Sequence, residues 1–317
     1  MIDKLGRSIT YLRLSVTDRC NLRCRYCMPE DGICKKSHFD MLTEDEMVQM
    51  VEVAASLGIN KVRITGGEPL VQKNILSICQ RVAQVDGVEE VCMTTNAVRL
   101  PQMAKALRDA GVTRLNISLD TMVPEKYTQI TRGGNLEEAL AGLHSALDAG
   151  FEKIKLNTVL IGGFNDDEIK SLAELTLRYP MDIRFIELMP MYDSGDFNQA
   201  SFISCNTVLD HLPELKPLEQ AEGVASLYRL PGALGNVGLI HPISSHFCGT
   251  CNRIRVTADG KLKPCLHSAT EYLLKGLTKL QMQDVMMDAI WNKPAVHGEL
   301  DVQHRSQAGR NMNEIGG

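Results

Sequence analysis

The sequence predicts an α/β chain, an incomplete (partial) TIM-type barrel of about six β/α units followed by a C-terminal extension. Three observations carry this. Strand-like runs rich in Ile, Val and Leu recur at residues 11–17, 61–67, 90–96, 114–120, 153–160 and 182–189. Helical patterns lie between them, and regular alternation with short links implies parallel strands joined by right-handed crossovers. Each strand is apolar on one face and polar on the other, whereas parallel strands covered on both faces read as nearly continuous apolar runs.

In the first strand Tyr11, Arg13, Ser15 and Thr17 share one face, and Leu12, Leu14 and Val16 the other. A helix follows. It opens at Thr43-Glu-Asp-Glu46, where Thr43 caps and Glu46 completes a capping box, and closes at Leu57-Gly58. In the second strand Lys61, Arg63 and Thr65 oppose Val62 and Ile64, and a helix over 74–85 leads to the third, where Cys92, Thr94 and Asn96 oppose Val91 and Met93. A helix over 101–110 precedes the fourth strand, in which Arg114, Asn116, Ser118 and Asp120 oppose Leu115, Ile117 and Leu119. Helix 136–149 leads to the fifth, with Lys153, Lys155 and Asn157 opposite Ile154 and Leu156, and helix 166–178 to the sixth. There, in Ile183-Arg-Phe-Ile-Glu-Leu-Met189, the parity breaks, which a bulge would account for. With helices on the apolar face, the polar face must line a hydrated or ligand-filled interior. A looser stretch at 190–246 ends the barrel pattern, dividing the chain into 1–190 and 191–317; a helix-like run at 272–291 and a polar tail ending Ile315-Gly316-Gly317 follow.

At 317 residues and 44% hydrophobic the chain can bury a large core. Ten cysteines without an export-type leader point to a reducing cytoplasm. No apolar run approaches the roughly 18 residues of a membrane span, so no membrane association is expected. A formal net charge of -5 argues against nucleic-acid binding but leaves room for local cationic pockets.

Cys20, Cys24 and Cys27 follow the first strand in a C-x3-C-x2-C run. Iron-sulfur clusters are normally held by four thiolates, so three leave one iron of a cubane open for chemistry. Zinc would need a fourth ligand, the nearest candidates being Cys34 and His38. A second trio, Cys248, Cys251 and Cys265, divides evenly on spacing between iron and a zinc site completed by His246 or His267. Cys34, Cys79, Cys92 and Cys205 share no spacing and read as ordinary buried residues.

Thr65-Gly-Gly-Glu-Pro69 ends the second strand and fits neither a Walker nor a dinucleotide fingerprint. Its glycines permit close backbone approach at the strand end where parallel α/β folds bind ligands. Thr94-Thr95-Asn96, Ser118-Leu-Asp120 and Glu187-Leu-Met189 occupy equivalent ends, although each taken singly fits a hydrogen bond to the backbone equally well. Arg13, Arg63, Lys155, Arg184, Arg253 and Arg255 face few carboxylates, notably Asp120, Glu68 and Glu187. A buried unpaired cation costs several kcal/mol, so a phosphate-rich ligand, a triphosphate, would balance them. Arg114 and Lys153 are expected in plain solvent.

The first cysteine run, with Tyr26 before its last cysteine, and Thr65-Gly-Gly-Glu-Pro69 resemble the radical S-adenosylmethionine (SAM) superfamily. Leu12-Arg-Leu-Ser-Val-Thr-Asp18, Lys61-Val-Arg-Ile-Thr65, Phe185-Ile-Glu-Leu-Met189, Cys248-Gly-Thr-Cys-Asn-Arg-Ile-Arg255 and the terminal Gly-Gly narrow the resemblance to the MoaA family of GTP 3',8-cyclases, almost end to end. The resemblance implies two 4Fe-4S clusters with three cysteines each, the second carried by the C-terminal extension. It implies that Tyr26, Gly67, Ser118 and Met189 contact SAM. Arg13, Arg63, Thr94, Lys155, Arg253, Ile254 and Arg255 would contact GTP, with the guanine on the second cluster's free iron and the Gly316-Gly317 tail reaching in beside it. The implied reaction removes hydrogen from the ribose 3' carbon, closes that carbon on carbon 8 of guanine and ends in reduction, opening molybdenum cofactor biosynthesis. An electron donor, a hand-off to the cyclic pyranopterin monophosphate synthase and a homodimer belong to the same expectation. One departure is Ala97, where Gly usually follows Thr-Thr-Asn, and it bears on the local turn. Two rivals stand beside it: a radical SAM peptide maturase, which predicts more downstream cysteines, and a zinc-binding module, which predicts zinc and no iron.

Overall fold

The computed structural model describes residues 1–33, 36–151, 153–191, 200–219 and 223–316; Cys34, the side chain of His38 and Gly317 lie outside what is described. The six expected strands are present as β1 (Tyr11–Ser15), β2 (Lys61–Thr65), β3 (Glu90–Thr95), β4 (Arg114–Ser118), β5 (Lys153–Leu160) and β6 (Asp182–Glu187). They pair in sequence order, all parallel. The looser C-terminal stretch does not end the sheet, as expected from its composition, but extends it. It supplies β7 (Lys216–Pro217), β8 (Ser226–Arg229), β9 (Val237–Ile240), β10 (Arg253–Val256), β11 (Lys261–Lys263) and β12 (Tyr272–Leu273). β9 joins β6 and β10 joins β1, both parallel, so the row of parallel strands gains one on each flank. The full order is β12-β11-β10-β1-β2-β3-β4-β5-β6-β9-β8-β7, an open barrel. Its curl brings Arg184 of β6 within electrostatic reach of Arg253 on β10.

The apolar faces form the core with the surrounding helices: Leu12, Leu14, Val62, Ile64, Met93, Leu115, Ile117, Leu156 and Phe185 are all buried. Each such side chain contributes roughly 1.5–3 kcal/mol on burial. The helix at Glu44–Ser56 opens as expected, with Glu46 N–H donating to Thr43 Oγ1 at 3.2 Å and Thr43 N–H to Glu46 Oε2 at 2.8 Å. Two helix expectations need correction, and one helix was not expected. The run at 166–178 is a 3-10 turn at Asp166–Glu168 followed by short helices at Ile169–Ala173 and Leu175–Arg178. The C-terminal helix begins only at Lys279, because Gly276 takes φ +80° and Thr278 supplies the cap. A helix at Pro124–Thr131 went unpredicted, its Thr, Tyr and Ile residues being weak helix formers.

No bulge interrupts β6, whose register with β5 runs unbroken from Lys155 opposite Asp182 to Leu160 opposite Glu187. The parity breaks because Glu187 points to the outer face. There its carboxylate accepts from the N–H groups of Cys205, Ile243 and Ser244 at 3.3, 3.0 and 2.9 Å. It caps a loop, and among the described residues no cation pairs with it. Ala97 occupies the left-handed region at φ 67°, fully buried, so the turn keeps the conformation a glycine would take; such strain costs roughly 1–2 kcal/mol.

Candidate active site

Strand register gathers the polar faces into layers. Arg255, Arg13, Arg63 and Cys92 lie side by side on β10, β1, β2 and β3; Thr94, Asn116, Lys155 and Asp182 do so on β3 to β6. Because the pairing is parallel, the cations of neighbouring strands stand at one height and turn to one interior.

The carboxylates expected to balance them do other work. Glu68 accepts from Leu70 N–H, Asn96 N–H and Thr95 Oγ1 at 3.0, 2.7 and 2.8 Å, and Asp120 from Tyr26 Oη and Val159 N–H, both at 2.8 Å. The counter-charges missed in the sequence are Asp182, 3.5 Å from Arg184 and 4.0 Å from Lys155, and Glu90, paired with Lys61 and, at 3.0 Å, with Arg114. Arg114 is therefore buried and paired rather than solvated; Lys153 is exposed, as expected. Arg63 donates to Tyr11 Oη through Nε and to Thr94 Oγ1 at 3.2 Å through Nη1. Among the described residues the enclosed Nε atoms of Arg13 and Arg253 have no hydrogen-bond partner.

Electrostatics register this crowding. Burial, reinforced by Arg255, Arg253 and Arg63, pushes Arg13 well below the ordinary arginine range. Burial and Arg253 bring Arg255 down to about 10, and Arg253 is lowered by burial with help from Arg63 and Arg184. Guanidiniums pushed this way favour an anion with several charges placed among them. The Arg253 guanidinium also stacks over the rings of Tyr11 and Phe247, with 5.8 and 5.5 Å to the centroids.

At the C-terminal end of β1 stand Cys20, Cys24 and Cys27. Cys27 N–H donates to Cys24 O at 2.9 Å, folding the run so that the three thiols act on one another electrostatically. Burial pushes Cys20 up to about 11 and Cys27 up to about 12, so holding three thiolates here calls for a bound cation. Gly66 and Gly67 pass directly beneath this loop. A Cβ on Gly67 would lie 2.3 Å from Arg19 O and 2.9 Å from Asp18 O. Gly67→Ala is expected to cost roughly 1–3 kcal/mol and to reduce iron uptake at the first trio, measured by iron analysis after anaerobic reconstitution. Tyr26, Ser118 and Met189 all lie toward the same strand ends and are half-buried.

Cys251 precedes β10 and Cys265 follows the antiparallel β11, so the second trio sits at the opposite end of the strands, with the arginines between the two. Here the chemistry is reversed. Burial opposes it, yet His297 lowers Cys248 and Lys293 lowers Cys251 below the ordinary thiol range. Ile254 turns its side chain to the core and offers the interior only backbone. Among the described residues no three His, Cys, Asp or Glu side chains are placed to hold a single metal ion. Zinc would draw three sulfurs within about 4 Å of one another, whereas a four-iron cluster takes each on a separate iron. Each trio supplies three sulfur donors, a set that fits a four-iron cluster with one iron open.

The tail returns to the first trio. Met312 N–H donates to Cys27 O at 3.1 Å and Asn313 Nδ2 to Asp18 O at 3.1 Å. The Gly316 carbonyl accepts from Arg255 Nη1, and a Cβ on Gly316 would meet Thr65 Cγ2 at 2.8 Å. Arg310 anchors this tail, reaching Asp259 at 3.0 and 3.1 Å and Glu271 at 2.5 and 2.8 Å. Arg310→Met leaves Asp259 to Lys36 and Glu271 to Lys261 and Lys263, and is expected to cost about 1.5–3 kcal/mol, read as a lower Tm and faster carboxypeptidase trimming of the tail.

Residues 14–176 match the family model described as Radical SAM superfamily, and residues 181–299 match Molybdenum Cofactor Synthesis C. A GTP 3',8-cyclase of Alkaliphilus oremlandii (strain OhILAs) is 47% identical over 321 residues, covering all of both chains. One from Peptoclostridium acidaminophilum is 48% identical over 323 residues, covering 100% of this chain and 98% of its own. Among solved structures, Streptococcus suis SuiB bound to S-adenosylmethionine covers 91% of this chain and 67% of its own at TM-score 0.65 and 13% identity, a likeness of fold.

Proposed function

Because the chain belongs to the radical SAM superfamily, within the family of its full-length GTP 3',8-cyclase relatives, we infer that it converts GTP to (8S)-3',8-cyclo-7,8-dihydroguanosine 5'-triphosphate, the first step of molybdenum cofactor biosynthesis. The observation that carries the reading is the belt of arginines between two cysteine trios at opposite strand ends, with Asp182 engaged by Lys155 and Arg184 beside it. Cys20, Cys24 and Cys27 would hold a four-iron, four-sulfur cluster, which, with an outside electron donor, would supply the reducing electron for SAM cleavage. Tyr26, Gly67, Ser118 and Met189 hold SAM at those strand ends. Arg13, Arg63, Lys155, Arg253 and Arg255 fix the triphosphate, and Thr94 orients Arg63 toward it. Cys248, Cys251 and Cys265 would hold a second cluster, which would supply a Lewis-acidic site for the guanine. The tail, tied to Arg255 through Gly316, closes the interior against water, which protects a carbon radical from quenching. The product passes to the cyclic pyranopterin monophosphate synthase.

The test is anaerobic turnover of iron-reconstituted protein with SAM, a strong reductant and GTP, GDP, ATP or no nucleotide, followed by mass spectrometry. GTP alone should yield both 5'-deoxyadenosine and a cyclised isomer of the nucleotide. Deoxyadenosine formed equally in every arm, with GTP unchanged, would leave the superfamily assignment and remove the substrate.

A further inference from the structure

The first residues of the chain, before β1, fold away from the arginine belt and against the second cysteine trio. Asp3 Oδ1 accepts from the N–H groups of Leu5 and Arg7, both at 2.9 Å, and Arg7 Nε donates to Asp3 Oδ2 at 2.6 Å. So fixed, the buried Arg7 guanidinium donates through Nη1 to Cys248 O at 2.9 Å and through Nη2 to Lys293 O at 3.1 Å. Lys293, 2% exposed, follows the helix at Lys279–Trp291. Its Nζ donates to Arg253 O at 2.8 Å and to Pro264 O. Arg253 lies two residues beyond Cys251, and Pro264 immediately precedes Cys265. Two linked cations therefore grip all three cysteine-bearing segments by their backbone carbonyls, and Lys293 also lies within electrostatic reach of Cys251 and Cys265.

A buried lysine held by two carbonyls and the Cys251 side chain, with no carboxylate at its Nζ among the described residues, is a costly choice if its work is structural, since an apolar side chain would fill the space without desolvating a charge. The cost has a return if three thiolates must be held together nearby. We propose that Arg7 and Lys293 are positioning residues for the second cluster: they set the three cysteine segments in place before iron arrives and offset the negative charge of the thiolate-bound cluster afterwards. The proposal rests on the two-cluster reading above. Net charge and hydrogen bonding near a cluster set its reduction potential, so the second part has its own observable.

Lys293→Gln keeps one amide donor and removes the charge; Arg7→Met removes the grip on Cys248. The wild-type protein, reconstituted anaerobically, should carry about eight irons per chain in two clusters. In Arg7→Met iron should fall toward about four. The first cluster's reduced-state paramagnetic resonance signal and slow SAM cleavage without GTP should persist, showing that the barrel has folded. In Lys293→Gln the second cluster that does assemble should show a lower reduction potential. Full iron in both variants with an unmoved potential would overturn the proposal, as would loss of iron from both trios, which would make these residues props of the whole fold. A wild-type protein holding only about four irons would instead overturn the two-cluster reading, and the scaffold with it.

Discussion

Cys24→Ser is expected to reduce both 5'-deoxyadenosine and cyclised nucleotide to background, a loss greater than the roughly 10–100-fold seen when only an outer-shell partner of a metal ligand is removed. Cys24 is the middle member of the first trio, and its carbonyl already anchors the N–H groups of Cys27 and Met28 at 2.9 and 3.2 Å. The Ser variant keeps those backbone bonds and nearly the same volume, so the loop should hold its shape. What disappears is a thiolate, and an alcohol does not replace it as an iron ligand. The second trio is an internal control, because iron should remain at Cys248, Cys251 and Cys265. Retained deoxyadenosine formation would remove the first trio from the chemistry.

The second large effect separates the arginines. Arg13→Met should raise the KM for GTP by about 10–150-fold, the range of one charge-assisted hydrogen bond at about 1.5–3 kcal/mol, with a smaller change in kcat. The Arg13 side chain has no hydrogen bond to protein at its enclosed Nε, so its removal leaves no protein acceptor unsatisfied there. Arg255→Met should do more, because Arg255 also holds the Gly316 carbonyl. KM should rise and kcat fall together as the tail loses its contact. Neither substitution touches the cysteine loop after β1, so deoxyadenosine formation without GTP should continue in both. Steady-state kinetics on GTP beside the uncoupled SAM cleavage rate reads all of this at once. If uncoupled cleavage fell in step with GTP use, the anion-binding role would be wrong.

The barrel was legible because its strands advertise two faces. Leu12 and Leu14 against Arg13 and Ser15, or Val62 and Ile64 against Arg63 and Thr65, state by alternation alone which side meets helices and which meets the interior. The positions of the arginines followed directly, since parallel pairing puts equivalent residues at one height. Their partners did not. Asp182 opens a strand whose later parity break misdirected attention to Glu187, and Glu187 is engaged with backbone donors on the outer face. Glu68 and Asp120 likewise end strands by accepting local N–H groups, which sequence cannot separate from pairing with a distant cation. The flanking strands β9 and β10 were hidden for another reason. Each has only four residues, lies far along the chain from the strand it joins, and carries too little periodicity to be seen without its neighbour. The grip of Arg7 and Lys293 on the second trio spans most of the chain, and only the fold reveals it.

The most direct measurement uses GTP carrying deuterium at the ribose 3' carbon, turned over anaerobically with SAM and reductant, with deuterium followed into 5'-deoxyadenosine. The account predicts one deuterium in each deoxyadenosine formed alongside the cyclised product, and none when the label sits elsewhere on the ribose. Deoxyadenosine without label, formed while the cyclised product accumulates or while GTP is untouched, would contradict it.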